Sequence, residues 1–280
     1  MQGTPSRTAW SVALRRAAHQ VLDDAPKVLD DPLALRIAGG EWRPRNAEPE
    51  SVSKMLRSFI VARSRYSEDE LGRAVEFGVA QCVVLGAGLD TLAYRNPHAE
   101  LRIFEVDHPA TQEWKRELLR RAAIPAPQSV TYVALDFERQ SLSERLRAAG
   151  LRPEPAFFSW LGVTPYLTRD AFDATIRFIG AMPACSRVVF DYAMLPSLLS
   201  ETVRADLEAM SQRVARAGEP FRLFFDPAQL ERDLRAAGFT SVEDLGVPEI
   251  DARFFAGRRD GLGVKSGAGR LLSAGTAPVL

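Results

Sequence analysis

The stretch VVLGAGLD, residues 83–90, decides how the chain folds. A β-rich apolar run passes directly into Gly-x-Gly, and at such a turn the backbone approaches a ligand at the carboxyl edge of a sheet, where α/β folds bind nucleotides. A third glycine three residues after Gly88 would complete a dinucleotide fingerprint, but that position is Thr91. A tight strand-to-helix turn is the plain alternative.

Outward from this turn, short apolar runs alternate with longer amphipathic segments. The runs are Gln81 to Leu85, Leu101 to Val106, Val130 to Leu135, Ala156 to Trp160 and Arg187 to Tyr192. Their near-continuous apolar character suits strands buried on both faces, and the alternation predicts a mostly parallel sheet covered by helices. Thr240 to Leu245 and Arg270 to Ser273 add closing strands, which makes about seven. Residues 1–80 read as a helical extension or cap on an α/β domain of residues 81–280. Val52, Met55, Leu56, Phe59 and Ile60 have helical spacing within Ser51 to Ala62, and Ser67 with Glu70 forms a capping box that predicts a second helix start. Gly39-Gly40 and Pro44 mark a loop. Downstream, Glu201 to Ala217 reads as a long helix within a helical insertion near 195–225. Asp226-Pro227 opens a further helix that Gly238 closes. Gly257 to Gly269, rich in Gly and charge, is expected to be the least ordered internal stretch.

Composition narrows the function classes. With 280 residues, 46% of them apolar, the chain can bury roughly three quarters of its unfolded surface. Lys and Arg total 36 and so do Asp and Glu, so no overall field favours nucleic acid. Cys82 and Cys185 lie in apolar stretches and offer neither a disulfide framework nor a Cys-x-x-Cys metal pattern, which fits a reducing cytoplasm. Arg7, Arg15, Arg16 and His19 interrupt the first twenty residues, leaving no signal-peptide core, and no run approaches the ~20 apolar residues of a membrane span.

The two strands after the glycine turn also end in acids. FEVDHP at 104–109 carries Glu105 and Asp107, and Glu105 stands 17 residues after Gly88, near the ~20 expected of an acid that binds a ribose diol. A carboxylate suits that task because it only accepts hydrogen bonds and can take both hydroxyls. In YVALDFE at 132–138, Asp136 can accept from an adenine amino group while Phe137 offers an apolar surface and a backbone N–H. Asp136 could instead cap the next helix, although Ser141 is better placed to do so. Three successive strand ends of this kind point to an adenosine-containing cofactor without saying which.

Longer strings carry a family resemblance: SRTAWSVALRRA and DDPLA near the start, then VARSR, VVLGAGLDTLAYR, FEVDHPATQEWK and VALDFE, and finally GEPFRLFFDPAQLERDLRAAGF. The chain resembles the leucine carboxyl methyltransferase family in its broad sense, particularly its bacterial S-adenosylmethionine-dependent O-methyltransferases. The resemblance implies a class I methyltransferase sheet, Rossmann-like, with an added helical cap, and S-adenosyl-L-methionine as cofactor. It further implies Arg63 at the methionyl carboxylate, Gly86 and Gly88 along the cofactor, Asp90 near its amino-acid part, Glu105 at its ribose, and Asp136 with Phe137 at its adenine. Arg suits a carboxylate because its planar fork binds it bidentately. Many members carry an Ala-Glu-Gly string ahead of a Tyr-Leu pair; here the chain reads FFSWLGVTPYLT, with Leu161 at the place of the Glu and Tyr166-Leu167 retained. Loss of that acid suits a small-molecule acceptor better than a protein.

Methyl transfer from a sulfonium is an in-line displacement with a neutral leaving group, so positioning the acceptor oxygen supplies much of the effect. A carboxylate acceptor needs no base. A hydroxyl does, and His108 or Tyr166 are the candidates; Tyr166 is expected to face the acceptor, and His108 to be structural beside Pro109. Trp160 and Tyr192 could present ring faces to the sulfonium or simply fill the core, and His19 and His98 are too scattered for a metal site. The expected activity is O-methylation of a carboxyl or hydroxyl group on a small molecule. Alternatives are a protein C-terminal carboxyl methyltransferase, an NAD-type oxidoreductase, and a catalytically silent cofactor-binding member. Because the expected ribose and adenine contacts lie later in the chain than residue 30, deleting the first thirty residues is expected to abolish turnover while sparing much of the cofactor affinity.

Overall fold

Each apolar run predicted as a strand is a strand, and all seven join one sheet. The structure, a computed structural model, describes residues 6–39, 50–137 and 139–277. Gly40 and Pro44 of the expected loop, and Glu138 at the end of the VALDFE string, lie outside the described residues, as do the side chains of Ser51 and Val52. The strands are β1 (Gln81–Leu85), β2 (Arg102–Asp107), β3 (Val130–Ala134), β4 (Phe157–Trp160), β5 (Arg187–Ala193), β6 (Ser241–Leu245) and β7 (Gly269–Gly275). Their order is β3-β2-β1-β4-β5-β7-β6, and every pairing is parallel except those of β7, which runs antiparallel to β5 and β6. The chain leaves β1 in one direction towards β2 and later returns on its other side as β4. The crevice at the carboxyl ends of β1 and β4 is therefore the switch point where open α/β sheets bind ligands.

Helices cover both faces because strand side chains alternate. Val83 and Leu85 of β1 join one buried cluster with residues of α6 (Leu142–Ala148), α7 (Arg169–Gly180) and α9 (Pro227–Ala236). Cys82 and Val84 point the other way, into a cluster with α3 (Glu50–Glu76) and α10 (Val247–Phe254). The remaining helices are α1 (Arg7–Leu22), α2 (Pro32–Ile37), α4 (Leu92–Arg95), α5 (Pro109–Arg121) and α8 (Glu201–Arg216). Along α8 only Leu207 is buried. Asp226 and Ser141 cap α9 and α6 as predicted.

Two expectations fail for identifiable reasons. No helix starts at Ser67: α3 is one continuous helix, and the Ser67 hydroxyl donates to Ser159 Oγ at 3.0 Å. Glu70 reaches across the sheet instead of back to a cap, taking Arg187 at 3.0 Å and the Ser273 hydroxyl at 3.3 Å. Nor is residues 257–269 a loose stretch. It is irregular, but Leu262 and Val264 are buried, and the Gly263 and Val264 amides donate to Ser58 Oγ and Asp251 Oδ1.

The helical segment ahead of the sheet is fastened by buried charge. Arg16 of α1, 3% exposed, sits 2.5 Å from Asp31 and 2.8 Å from Asp90, and donates to the Thr91 hydroxyl at 2.7 Å. Burial opposes its charge, but Asp31, Asp90 and Glu68 together hold its pKa above the ordinary value. Farther along α1, Asp23 takes a bidentate grip from Arg57 of α3 at 2.7 and 2.8 Å, and a bond from His19 Nδ1 at 2.7 Å.

Removing one partner from a buried ion pair leaves the others uncompensated, typically costing about 3–5 kcal/mol. Arg16→Met should lower the unfolding free energy by that order in urea denaturation. A loss within the range of a surface substitution would show that α1 is not anchored there.

Candidate functional site

Where β1 ends at Leu85 the chain turns sharply, with Gly86 at φ +65° and Gly88 at φ +45°. Both values are left-handed, where a side chain is disfavoured. Space is equally tight: a Cβ on Gly86 would lie 2.3 Å from Val163 Cγ2, and one on Gly88 3.2 Å from the Ala9 Cβ of α1. The Gly86 and Ala87 amides donate to the Val106 carbonyl at 2.8 and 3.0 Å, and the Gly88 amide to Asp107 Oδ2 at 2.5 Å. This turn forms one wall of a cavity of about 750 Å³ at the carboxyl edge of the sheet. That is within the roughly 300–1,000 Å³ usual for ligand sites.

Arg63 of α3 and the acids near the strand ends, Asp90, Asp107, Asp136 and Asp191, line the cavity, with Phe137 among its lining residues. Met55, Leu56 and Phe59 of α3, Val203, Leu207 and Met210 of α8, and Phe221 and Val264 make a mostly apolar lining elsewhere. Ser6, Thr8, Ala9, Val12, Ala13 and Arg16 show that α1 also lines it. The first thirty residues, expected to be dispensable for cofactor affinity, thus share the cavity with the glycine turn, against which Ala9 of α1 packs.

Glu105, the acid expected at the ribose, does not line the cavity. It is 1% exposed, ion-paired with Lys115 Nζ at 2.7 Å, and receives the Tyr94 hydroxyl at 3.1 Å. Burial raises its pKa against the pull of Lys115. Because β2 starts and ends one residue later than predicted, its last residue is Asp107, and that carboxylate reaches the cavity. Burial raises the Asp107 pKa despite the Gly88 and His108 amides that donate to it. Asp90 also lines the cavity, but Arg16 occupies Oδ2 and the Leu92 amide donates to Oδ1 at 2.7 Å. Burial alone would raise its pKa; the fields of Arg16, Arg95 and Lys115, with the Leu92 N–H, outweigh that and hold it at about 2. The helix after the glycine turn, α4, has four residues, and its leading amide is already taken by Asp90. That leaves no helix N-terminus for a pyrophosphate, which weighs against a dinucleotide.

Arg63, on α3, extends over Gly162 and donates from Nη1 to Asp191 Oδ2 at 2.9 Å. Gly162 has φ +72°, and a Cβ there would come within 2.6 Å of Arg63 Nη2, so the close approach requires glycine. The Gly162 amide donates to Asp191 Oδ1 at 2.5 Å. Tyr166, in a short turn at Thr164–Tyr166, packs against Phe221 with ring centroids 5.3 Å apart, and its hydroxyl lies near Thr8. Burial, with a smaller contribution from Glu219, pushes its phenol up to about 12 against the effect of Thr8. Glu219 accepts from the Thr8 hydroxyl and from the Arg7 and Thr8 amides at 3.2 and 3.3 Å, clasping the start of α1 beside the cavity. His108 lines the cavity while capping α5, its Nδ1 accepting from the Ala110 amide at 3.3 Å. Trp160 is core, stacked on Phe172 at 5.4 Å, whereas Tyr192 lines the cavity and donates to Asp244 at 2.6 Å. Leu161 lines the cavity where an acid was noted as missing.

The sequence reading missed Asp191, Thr8, Glu219 and Arg16. Asp191 had a legible signal, an acid inside the apolar run VVFDYA at the end of a predicted strand. The others gave none, because their partners are distant in the chain: Thr8 and Glu219 are separated by 211 residues.

The family described as leucine carboxyl methyltransferase matches residues 9–180. YktD of Bacillus subtilis (strain 168), provisionally named an S-adenosyl-L-methionine-dependent methyltransferase, is 34% identical over 223 residues, covering 77% of this chain and 73% of its own. A protein of Mycobacterium avium (strain 104) with the same provisional name is 30% identical over 277 residues, covering 92% of this chain and 80% of its own. Among solved structures, a provisionally assigned methyltransferase from Thermobifida fusca YX superposes with a TM-score of 0.60 at 15% identity, covering 99% of this chain and 96% of that one. A DUF574 family protein from Streptomyces avermitilis MA-4680 gives 0.57 at 16% identity, covering 94% and 97%. At such identities the likeness establishes the fold, that of the class I methyltransferases.

The Asp90 pair carries a pH signature. Its folded pKa of about 2 lies below the ordinary aspartate value of 3.8, so the stabilisation is fully present above pH ~4 and is lost as pH falls through about 2. The difference corresponds to roughly 2 kcal/mol. Urea denaturation of wild type and Asp90→Asn across this range should show their stability difference narrowing by about that amount as pH falls. A pH-independent difference would remove Asp90 from the ion network.

Proposed function

The chain belongs to the leucine carboxyl methyltransferase family and is an S-adenosyl-L-methionine-dependent methyltransferase, and on that premise we propose that it methylates a carboxyl or hydroxyl oxygen of a small organic acceptor. The observation that carries this reading is the continuity of one cavity from the polar strand ends to the apolar side chains of α3 and α8. One part suits a charged, hydrogen-bonding cofactor and the other an apolar acceptor.

The donors and acceptors present fit the cofactor. Asp107 accepts from the ribose hydroxyls, taking the role first expected of Glu105, whose carboxylate is already committed to Lys115. Asp136 accepts from the adenine amino group beside the Phe137 ring. Arg63 presents its fork to the methionyl carboxylate. Gly86 keeps the turn free of a side chain where the backbone passes the cofactor. Asp90 holds the turn through Leu92 and Arg16 at the amino-acid part. When bound, S-adenosyl-L-methionine supplies a methyl group on a cationic sulfonium that departs as a neutral thioether.

The protein's part is then to position the acceptor and exclude water. Tyr166, its phenol pushed up to about 12, keeps its proton at neutral pH and orients the acceptor by hydrogen bonding, not as a base. A carboxylate acceptor, already ionised, agrees with that. The Glu219 clasp on α1 and the cover of α8 beside the apolar lining favour a compact molecule over an extended protein tail.

Two measurements test this reading. Asp107→Asn should weaken S-adenosylhomocysteine binding about 10- to 100-fold, the worth of hydrogen bonds to a charged group. Glu105→Gln should lower stability and leave the affinity near wild type; the reverse pattern would return the ribose to Glu105. Separately, the enzyme with methyl-labelled cofactor can be offered small carboxylic acids, small phenols and a peptide ending in leucine. Label should enter a small molecule, and its release as methanol by mild base would mark an ester, its retention an ether. Transfer to the peptide alone would overturn the small-molecule assignment.

A further inference from the structure

An α-amino acid tail carries a carboxylate and an ammonium on one carbon, and its capture in a cavity requires a cation and an anion side by side. Arg63 and Asp191 are such a pair, 2.9 Å apart, and both line the cavity. Their side chains are 10% and 7% exposed, so water competes little for them. Neither is saturated by the other. A carboxylate offers about four lone-pair sites, of which the Gly162 amide takes one on Oδ1 and Arg63 one on Oδ2. A guanidinium has five N–H donors, and among the described residues that of Arg63 spends one, on Asp191.

The other acids of the cavity are differently placed. Asp90 is held by Arg16 and Leu92, and Asp107 by the Gly88 and His108 amides at the end of β2. The residue before Gly162 is Leu161, whose side chain has no acceptor. Asp191 enters from the neighbouring strand, since Trp160 pairs with Phe190 and the next residue of β5 lies beside the turn that leaves β4.

We propose that Asp191 receives the α-ammonium group of the cofactor's methionyl tail, so that the Arg63–Asp191 pair reads both charges of the zwitterion. The inference rests on the cofactor placement proposed above. The tail's carboxylate bonds the free edge of Arg63 and its ammonium bonds the free lone pairs of Asp191, an alternating arrangement of four charges in a largely dehydrated site. Charge-assisted hydrogen bonds are at their strongest there. Ligands that share the adenosine but lack the tail, or lack its amino group, are discriminated against.

The test compares three ligands by calorimetry: S-adenosylhomocysteine, its analogue with the α-amino group replaced by hydrogen, and adenosine. Wild type should bind S-adenosylhomocysteine about tenfold or more tighter than the des-amino analogue, the worth of one charge-assisted bond. In Asp191→Asn that ratio should collapse towards one, with adenosine binding retained as evidence of an intact site. In Arg63→Lys the ratio should survive while both tailed ligands lose affinity relative to adenosine. A ratio in Asp191→Asn equal to that of wild type would overturn the inference and leave the cofactor placement standing. A wild type that binds S-adenosylhomocysteine no better than adenosine would overturn both. If the carboxamide disturbs folding, wild type alone still decides: its preference for the amino ligand should fade as pH rises through the pKa of the ligand's ammonium, and a preference that persists overturns the proposal.

Discussion

A buried guanidinium cannot shed its charge, so it must be surrounded by acceptors, and Arg16 obliges three separate parts of the chain to meet. Asp31 comes from the cap of α2, Asp90 and Thr91 from the turn after β1, and Arg16 itself from α1. Once they meet, Ala9 lies against Gly88, Thr8 lies beside Tyr166, and the start of α1 comes within reach of Glu219. The same ion cluster that fastens the helical segment to the sheet thus shapes the glycine turn and places one wall of the cavity. Stability and site geometry share residues here.

At the carboxyl edge of the sheet, chemically similar side chains are assigned different work by their partners. Glu105 is consumed by Lys115 and Tyr94 and Asp90 by Arg16 and a backbone amide, whereas Asp191 accepts one bond on each oxygen, from Arg63 and Gly162, and keeps lone pairs to spare. Asp107 is steadied by two amides at the mouth of the glycine turn. A carboxylate with spare lone pairs facing a cavity can bind a ligand. One whose lone pairs are filled by a buried lysine serves the fold. Gly162 shows the same economy in backbone form, its missing Cβ being what lets the Arg63 guanidinium pass.

Much of this was legible in the sequence because it depends on near neighbours in the chain. The apolar runs had the composition of strands covered on both faces, and the glycine turn, the Asp226 cap and the Ser141 cap are local devices. Ser67 misled because a capping box is a statement about propensity, and packing of a continuous α3 against β4 and β5 overrode it. Glu105 misled because counting from Gly88 cannot say where a strand stops, and one residue of shift put Asp107 at the edge instead.

The sequence by itself determined the α/β class, the seven strands, the position of the glycine turn and, through its longer strings, the methyltransferase family. Those properties follow from side-chain period, turn chemistry and motif, which act over a few residues or through shared descent. Only the tertiary structure decided which strand-end acid faces the cavity, that α1 walls it, and that Arg63 meets Asp191 across 128 positions of chain. The reason is physical: a charged group's role depends on burial and on which counter-charge reaches it, and both are set by contacts between segments far apart in sequence.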